Sequence, residues 1–348
     1  MEIPRTRIMV PGPGGYDVFR LDHTPIGPPG PSEVRVRVTA CGINFADIAV
    51  RMGLYKAAQG RYPLCPGLEF AGIVDRAGAG VTGFNPGDRV FGAVRFGGYA
   101  TVINCPARQM WQMPDSWEDE RGAAFPVAYL TAAYALFHVG HLRGDDRVLV
   151  HSAAGGVGTA LLHLLKINGN FSVGVVGRPE KTAAATSAGA SRVIDKGSCD
   201  LWREAERLSP SGYDLILDAN GAATLKGSYA HLRPGGRLLI YGFSAMFSPT
   251  GIRKRLRLIF DYLRTPRFNP FDMTGANKTV SGFNLIYLFD RVDLFRDLMD
   301  RLLAWDSEGL LPPMPLTPFA FRRVAGAHRA LASGKTVGKL VLITGTPA

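Results

Sequence analysis

From Val34 to Gly98 apolar positions either alternate with polar ones or fall in short runs closed by turn residues. "EVRVRVTACG" sets valine against charge, and "GLEFAGIVDRAGAGVTGFNPGDRVFG" is broken at Gly, Asn-Pro and Gly-Asp. A period of two puts one face of a strand against a core and the other toward water, so this part predicts a mostly β, partly closed barrel. From about Glu118 the pattern changes to a helix in "EDERGAAFPVAYLTAAYALFHVG" and then to alternation. "RVLVHSA" reads as a buried strand, "GTALLHLLKING" as a helix, "FSVGVV" as a strand, "EKTAAATSAGA" as a helix, and "YDLILDA" and "GRLLIYG" as strands. Such alternation builds a parallel sheet covered on both faces. After Gly282 come a helical run, "RVDLFRDLMDRLLAWDSEG", a Pro-rich link at 312 to 318, a helix through Leu331 and a last strand, "GKLVLIT".

A chain of 348 residues, 46% hydrophobic, exceeds what one core usually supports, so two domains are expected. No stretch of eighteen or more uncharged apolar residues is expected, and the first thirty residues lack the apolar centre of a signal peptide. The four cysteines, at 41, 65, 105 and 199, contain no C-x-x-C pair, which is neither a disulfide framework nor a zinc-finger spacing. A soluble protein of a reducing cytoplasm is the expectation. The net charge of +11 points to an anionic partner: a phosphorylated cofactor, an acidic membrane surface or nucleic acid. Six Arg or Lys and one Asp fall in "GIRKRLRLIFDYLRTPR", 251 to 267, where Ile252, Leu256, Ile259 and Leu263 share one helical face. That is the pattern of a helix lying on an anionic membrane surface, or of a solvated face on a lid or dimer contact. No recognition motif or interleaved aromatics accompany the charge, so nucleic acid is not an expected partner.

"RVLVHSAAGGVGTALLHLLK" runs strand, glycine-rich turn, helix, the context a dinucleotide fingerprint requires. Gly155 and Gly156 let backbone approach a pyrophosphate and Gly158 lets helix and strand pack closely, although Ala153 stands where the first glycine belongs. The N–H groups of Ala154, Gly155, Gly156 and Val157 and the helix dipole would face the phosphates. At the end of the next strand an NAD-preferring protein carries an acid for the ribose 2′-hydroxyl. This chain has Gly177, Arg178 and Lys181 there, with Lys196 after the third strand, which favours a 2′-phosphate and hence NADPH. "ASGKTVG", at 332 to 338, ends like a P-loop, but Arg329 replaces its first glycine and a strand follows it.

The β-rich N-terminal half, the "AAGGVG" turn and the C-terminal return to the first domain together resemble the medium-chain dehydrogenase/reductase superfamily. "NFADIAVRMGLY" at 44 to 55 is similar to the N-x-x-D-x-x-x-R-x-G-x-Y of its zinc-free quinone oxidoreductase branch. "PGLEFAGIV" at 66 to 74, "GDRVFG" at 87 to 92 and "GKLVL" at 338 to 342 fit the same branch, and "VLVHSAAGGVG" and "SGFNLIYL" are most like its VAT-1-like group. The resemblance implies an α/β architecture: a GroES-like β-rich substrate domain over 1–125 and 284–348, and a Rossmann doubly wound parallel sheet domain over 126–283. It also implies a homodimer.

In the zinc enzymes of the superfamily a Cys in the loop matching 41 to 47 and a His in a Gly-His-Glu motif hold the metal. Here Asn44 and Leu68 stand at those positions, and Cys105 is alone where a four-cysteine zinc lobe would lie. Leucine cannot ligate and an amide is a poor zinc ligand, so no metal is expected. Cys41 reads as a buried small hydrophobe rather than a nucleophile, and Ser152 beside His151 lacks the G-x-S-x-G turn of a hydrolase. The resemblance implies that Asn44 and Tyr55 face the substrate. Asp47 would bond a substrate oxygen or hold the loop and ribose, or else serve as a helix cap or buried brace, and Arg51 would pair with Asp47 or another acid. The resemblance further places Thr131 near the nicotinamide, with the backbones of Phe243 and Phe283 at its carboxamide; Tyr129 and Tyr134 are candidates for an acid or stacking group, with helix packing as the default reading of both.

Without a Lewis acid a simple ketone is hard to reduce, whereas a conjugated acceptor delocalises the incoming charge. The expectation is NADPH-dependent reduction of a quinone or α,β-unsaturated carbonyl. The alternative is a VAT-1-like, membrane-associated nucleotide-binding adaptor with little turnover.

Overall fold

The computed structural model describes residues 1–244, 260, 261 and 263–345. The chain divides into two compact units. One is made of Met1–Val127, Ile286–Asp297 and Pro315–Ala348, the other of Ala128–Leu285 and Leu298–Met314. The chief difference from the expected division is that Leu298–Met314 groups with the second unit. There Arg301 stacks over the rings of Phe137 and Trp305, 4.2 and 4.4 Å from their centroids.

The first unit begins with strands β1 (Arg7–Met9), β2 (Arg20–Asp22), β3 (Glu33–Ile43), β4 (Glu69–Ala77), β5 (Arg89–Ala93), β6 (Val102–Pro106) and β7 (Met110–Gln112). The alternation of β3 is read out directly. Val34, Val36 and Val38 are fully buried, each worth about 2 kcal/mol of apolar burial. Between them Arg35 and Arg37 reach across to Asp75 of β4 at 2.6 and 2.8 Å.

The second unit carries β8 (Val148–His151), β9 (Ser172–Val176), β10 (Arg192–Asp195), β11 (Tyr213–Asp218), β12 (Leu232–Ile240) and β13 (Thr279–Gly282). They form a six-stranded sheet in the order β10-β9-β8-β11-β12-β13 with every pair parallel, the doubly wound Rossmann order. Strand β13 was not expected from the sequence. It is a four-residue edge strand, "TVSG", with no fully buried position and hence no apolar run to mark it.

The chain then returns to the first unit with β14 (Leu316–Ala320) and β15 (Lys339–Ile343), completing a seven-stranded sheet in the order β14-β15-β3-β4-β5-β7, with β6 also paired to β3. Strand β14 begins inside what the sequence presents as a Pro-rich link at 312 to 318. It is an edge strand, and Pro318 is tolerated because an edge has no ladder to satisfy on its outer side.

One sequence expectation about membranes is corrected. Among the described residues one helix, Asp119–Val139, is long and apolar enough to cross a bilayer, and 78% of its most apolar window is buried, as in the core helix of a folded domain. The basic segment at 251–267 lies outside the described residues except for Phe260, Asp261 and residues 263–267.

Candidate functional site

In the second unit the fully buried strand β8 ends at His151, and Ser152 turns the chain with a left-handed φ of 54°. Gly155, in extended conformation, caps the helix Gly156–Ile167. A Cβ on Gly158 would run into the Ser152 carbonyl and lie 2.8 Å from Ala153 Cα, so only glycine lets the helix start this close to the strand. The first N–H groups of a helix have no acceptor within it, and together with the helix dipole they favour an anion. Strands β8 and β11 are neighbours, and the strand order reverses between them, which is where open α/β sheets bind ligands.

Side chains at this reversal are committed to structure. Ser152 Oγ donates to Asn220 Oδ1 at 2.7 Å. Asp218 accepts from the backbone of Asn220 at 2.8 Å and of Gly221 at 3.2 Å, and from Ser228 Oγ at 2.8 Å. His151 Nε2 is 3.0 Å from the same Ser228 hydroxyl, and burial lowers its pKa, so it is neutral. The His151–Ser152 pair therefore makes no nucleophile with its base.

The expected cations meet at the ends of β9 and β10. Lys196 N–H donates to Val176 O at 3.0 Å, and an added Cβ on Gly177 would lie 3.6 Å from Lys196 Cε. Arg178 and Lys181 follow on the adjoining turn, Lys181 N–H donating to Arg178 O at 3.1 Å. Burial and then the Arg178 charge hold the Lys181 amine below its usual range, and burial does the same to Lys196 against the pull of Asp218. Among the described residues none of the three makes an ion pair, so the corner presents cations with no resident carboxylate bound to them. Of the remaining expected cofactor residues, Thr131 is buried on the helix Asp119–Ala133. Phe243 follows β12, its ring against the bare Cα of Gly221. Phe283 follows β13, bonded through its N–H to Ile240 O at 3.2 Å, with its ring edge-on to Tyr134 at 4.9 Å.

In the first unit Asn44 caps the helix Phe45–Arg51. Asp47, fully buried, accepts from Asn44 N–H at 2.8 Å, Gly67 N–H at 3.0 Å and Tyr99 Oη at 3.1 Å. Burial raises its pKa to about 6 against those hydrogen bonds. Tyr99 Oη is also 3.2 Å from His328 Nε2. An ionised carboxylate can only accept, so Tyr99 gives its proton to Asp47 and His328 donates to Tyr99. Burial, and then the Arg51 charge, push the His328 pKa down to about 3, so the ring is neutral. Asp47 thus braces the turn from inside.

The Asn44 side chain lies between two charges. Its Nδ2 donates to Glu69 Oε1 at 2.8 Å, and its Oδ1 accepts from Lys339 Nζ at 2.7 Å. Lys339 also donates to Ile43 O at 3.1 Å and forms a close ion pair with Glu69, whose other oxygen accepts from Val127 N–H at 2.8 Å. The register explains the meeting: β15 sets Leu340 opposite Ile43, and β4 sets Phe70 opposite Cys41, which brings Lys339 and Glu69 to the end of β3. Gly42 makes the room, because a Cβ there would strike Glu69 Oε1 and the Ala123 carbonyl. Glu69 and Lys339 stand in "PGLEFAGIV" and "GKLVL", and neither was expected to have a role at the site. The available signal was a charge opening each of two strands whose next residues, 70–74 and 340–343, are all apolar.

Tyr55 lies beyond the helix, partly exposed, at the head of the turn Lys56–Ala58. The expected pairing of Arg51 with Asp47 is not made. Arg51 donates to Gly14 O at 2.8 Å and stacks 4.3 Å from the Tyr16 ring centroid, while the Asp47 oxygens are taken by the donors named above. Cys41 is buried and burial raises its thiol pKa, which suits a small hydrophobe and not a nucleophile. Tyr129 is buried with its hydroxyl 2.7 Å from His163 Nδ1. The donor set does not fit zinc: Leu68 is buried without a lone pair to offer, the Asn44 oxygen is occupied by an ammonium, and among the described residues no three His, Cys, Asp or Glu side chains converge.

Comparison with known proteins agrees with this architecture. Residues 30–115 match the family described as alcohol dehydrogenase GroES-like domain, and residues 188–342 match zinc-binding dehydrogenase. The synaptic vesicle membrane protein VAT-1 homolog of Rattus norvegicus is 36% identical over 349 residues, covering 98% of this chain and 85% of that protein. The crystal structure of human synaptic vesicle membrane protein VAT-1 homolog-like protein superposes with a TM-score of 0.84 at 29% identity, covering all of both chains. The Escherichia coli quinone oxidoreductase complexed with NADPH superposes with a TM-score of 0.85 at 27% identity, over 97% of this chain and 99% of that one.

Proposed function

The chain belongs to the medium-chain dehydrogenase/reductase superfamily, alongside the VAT-1 homologues and quinone oxidoreductases, and from that premise we propose that it is an NADPH-dependent reductase of quinones or α,β-unsaturated carbonyls that works without a metal. The observation that carries the reading is the cation corner of Arg178, Lys181 and Lys196, which among the described residues make no ion pair, together with a helix start that only glycine at 158 permits. The N–H groups of residues 154–157 would hold the pyrophosphate and the corner the 2′-phosphate, with Thr131, Phe243 and Phe283 around the carboxamide. When bound, NADPH supplies two electrons and one hydrogen as hydride.

The protein's own part is to bind, orient and stabilise charge. As hydride reaches the β-carbon of an enone, the carbon–carbon double bond shifts toward the carbonyl and its oxygen gains negative charge. Asn44, partly exposed at the head of its helix, offers that oxygen an N–H, and a proton from solvent completes the reduction. A conjugated acceptor spreads the charge and suits a site whose cation is an ammonium rather than a metal.

The test is consumption of NADPH against a panel of quinones and enones, with NADH and a strong chelator as controls. Turnover that prefers NADPH and ignores the chelator supports the reading. Turnover abolished by the chelator and restored by zinc overturns its metal-free part.

A second reading, association with an anionic membrane, is favoured by Phe260, Leu263 and Phe271, which are 54%, 72% and 86% exposed, beside Arg264 and Arg267. Sedimentation with phosphatidylserine vesicles at physiological salt tests it, and absence of the protein from the pellet removes it. The reductase reading goes with a homodimer along the β13 edge of the Rossmann sheet and with a reducing cytoplasm; light scattering tests the former.

A further inference from the structure

Two buried charges hold the Asn44 amide in a single orientation. An ammonium can only donate and an ionised carboxylate can only accept. Asn44 Oδ1 must therefore face Lys339 and Nδ2 must face Glu69, as the distances of 2.7 and 2.8 Å record. The three Lys339 protons are spent on Ile43 O, Asn44 Oδ1 and Glu69 Oε1. Glu69 receives Lys339 and Asn44 on one oxygen and Val127 N–H on the other. After these bonds the one donor left over among these three side chains is the second N–H of Asn44. Lys339 and Glu69 are buried, whereas Asn44 is partly exposed, so that N–H belongs to the one member of the network a ligand can reach. The ammonium on the amide oxygen also draws electron density from the nitrogen and strengthens the donor.

We infer that Lys339 and Glu69 are positioning residues that lock the Asn44 amide so that one N–H is presented to an oxygen of the acceptor, a carbonyl or quinone oxygen. The inference rests on the reductase reading. Its chemistry is that of a preorganised donor aimed at developing negative charge, where a fixed orientation saves the reorganisation a free amide would need. Had the amide been free to turn, its oxygen would face the acceptor oxygen half the time and repel it. The pair also accounts for Gly42: the space that a Cβ would fill holds the Glu69 carboxylate.

The experiment compares wild type with Lys339→Met, Glu69→Gln, Asn44→Ala and the Asn44→Ala/Lys339→Met double variant, each checked for folding by circular dichroism and for NADPH affinity by fluorescence titration. Wild type is assayed first: if it binds NADPH but reduces no quinone or enone, the reductase reading fails, and that result is separate from anything the variants show. With an active wild type, Lys339→Met is expected to lower kcat by about 10- to 100-fold, less than the roughly 100- to 1,000-fold loss when an oxyanion donor is removed outright, because the donor is released and not deleted, with NADPH affinity unchanged. The double variant is expected to be no slower than Asn44→Ala alone, because Lys339 acts only through the amide. Asn44→Asp gives a second readout that a merely structural role would not move. Its activity should rise as pH falls, when the carboxyl gains a proton to donate, while wild type shows no such rise. Losses that multiply in the double variant, Lys339→Met turning over at the wild-type rate, or Asn44→Asp following the wild-type pH profile would overturn the inference. Should Lys339→Met fail to fold, Asn44→Asp decides it by its pH profile, and Lys339→Arg, which keeps a cation and its donors, should retain most of the wild-type rate. A loss in Lys339→Arg as large as in Asn44→Ala with folding intact would overturn the inference.

Discussion

Lys339 and Asn44 are joined by a 2.7 Å hydrogen bond although 295 positions of chain separate them. The bond exists because β15, the last strand, pairs with β3, the first long one, and so closes the sheet over the end of the Asn44 turn. The chemistry of the first unit is therefore set by its two ends, and the whole dinucleotide-binding unit is inserted between them.

Cofactor choice should follow the cation corner. Replacing Arg178 and Lys181 together with alanine removes charge-assisted contacts worth about 1.5–3 kcal/mol each, so the Kd for NADPH should rise by at least about a hundredfold while that for NADH moves little. Fluorescence titration with both nucleotides measures this. An equal loss for both would assign the two residues to general folding of the turn.

Gly158→Ala should damage both stability and nucleotide binding, because the new Cβ meets the Ser152 carbonyl and Ala153 backbone, neither of which can move aside cheaply. Overpacking of this kind costs about 1–3 kcal/mol. Denaturant unfolding and NADPH titration of the same variant report the two losses.

How much of this was legible in the sequence depended on how local the signal was. The glycine turn, the parallel sheet and the cations after Val176 could be read because strand, turn and helix are contiguous there. The charge frame around Asn44 was not legible, since Glu69 and Lys339 reach it through pairing registers that no local pattern specifies. Edge strands β13 and β14 were hidden for a related reason: half-exposed edges carry no apolar run, and Pro318 reads as a breaker until its edge position is known. Asp47 was read with two alternative roles, and its complete burial shows it as the brace.

Acid should act on the first unit through two groups of opposite sign. His328 has its pKa lowered from 6.5 to about 3, so below 6.5 the unfolded chain takes up a proton that the folded one refuses, and stability falls as pH falls. At pH 5 this costs about 2 kcal/mol. Asp47 has its pKa raised from 3.8 to about 6, so the folded state binds the extra proton and gains stability as pH falls through 6. His328→Gln should remove the first effect and keep the second, becoming more stable relative to wild type between pH 7 and pH 5. Urea unfolding at the two pH values shows it; parallel losses in wild type and variant would contradict the assignment.

Thiol chemistry should be confined to one residue. Cys41, Cys65 and Cys105 are buried and Cys199 is exposed, and burial pushes the Cys65 thiol up to about 12. A thiol reagent should therefore modify one cysteine of the native protein, and Cys41→Ala should keep full activity. Loss of turnover in Cys41→Ala with folding intact would revive a nucleophilic role for it.

The most direct test of the reductase account is a single turnover with NADPH deuterated at its transferable position and a small enone, followed by mass spectrometry and NMR of the product. The account predicts one deuterium on the β-carbon and one solvent hydrogen on the α-carbon, unchanged by chelator. Tightly bound NADPH that stays reduced in the presence of every acceptor, or a reduced product without deuterium, would contradict it.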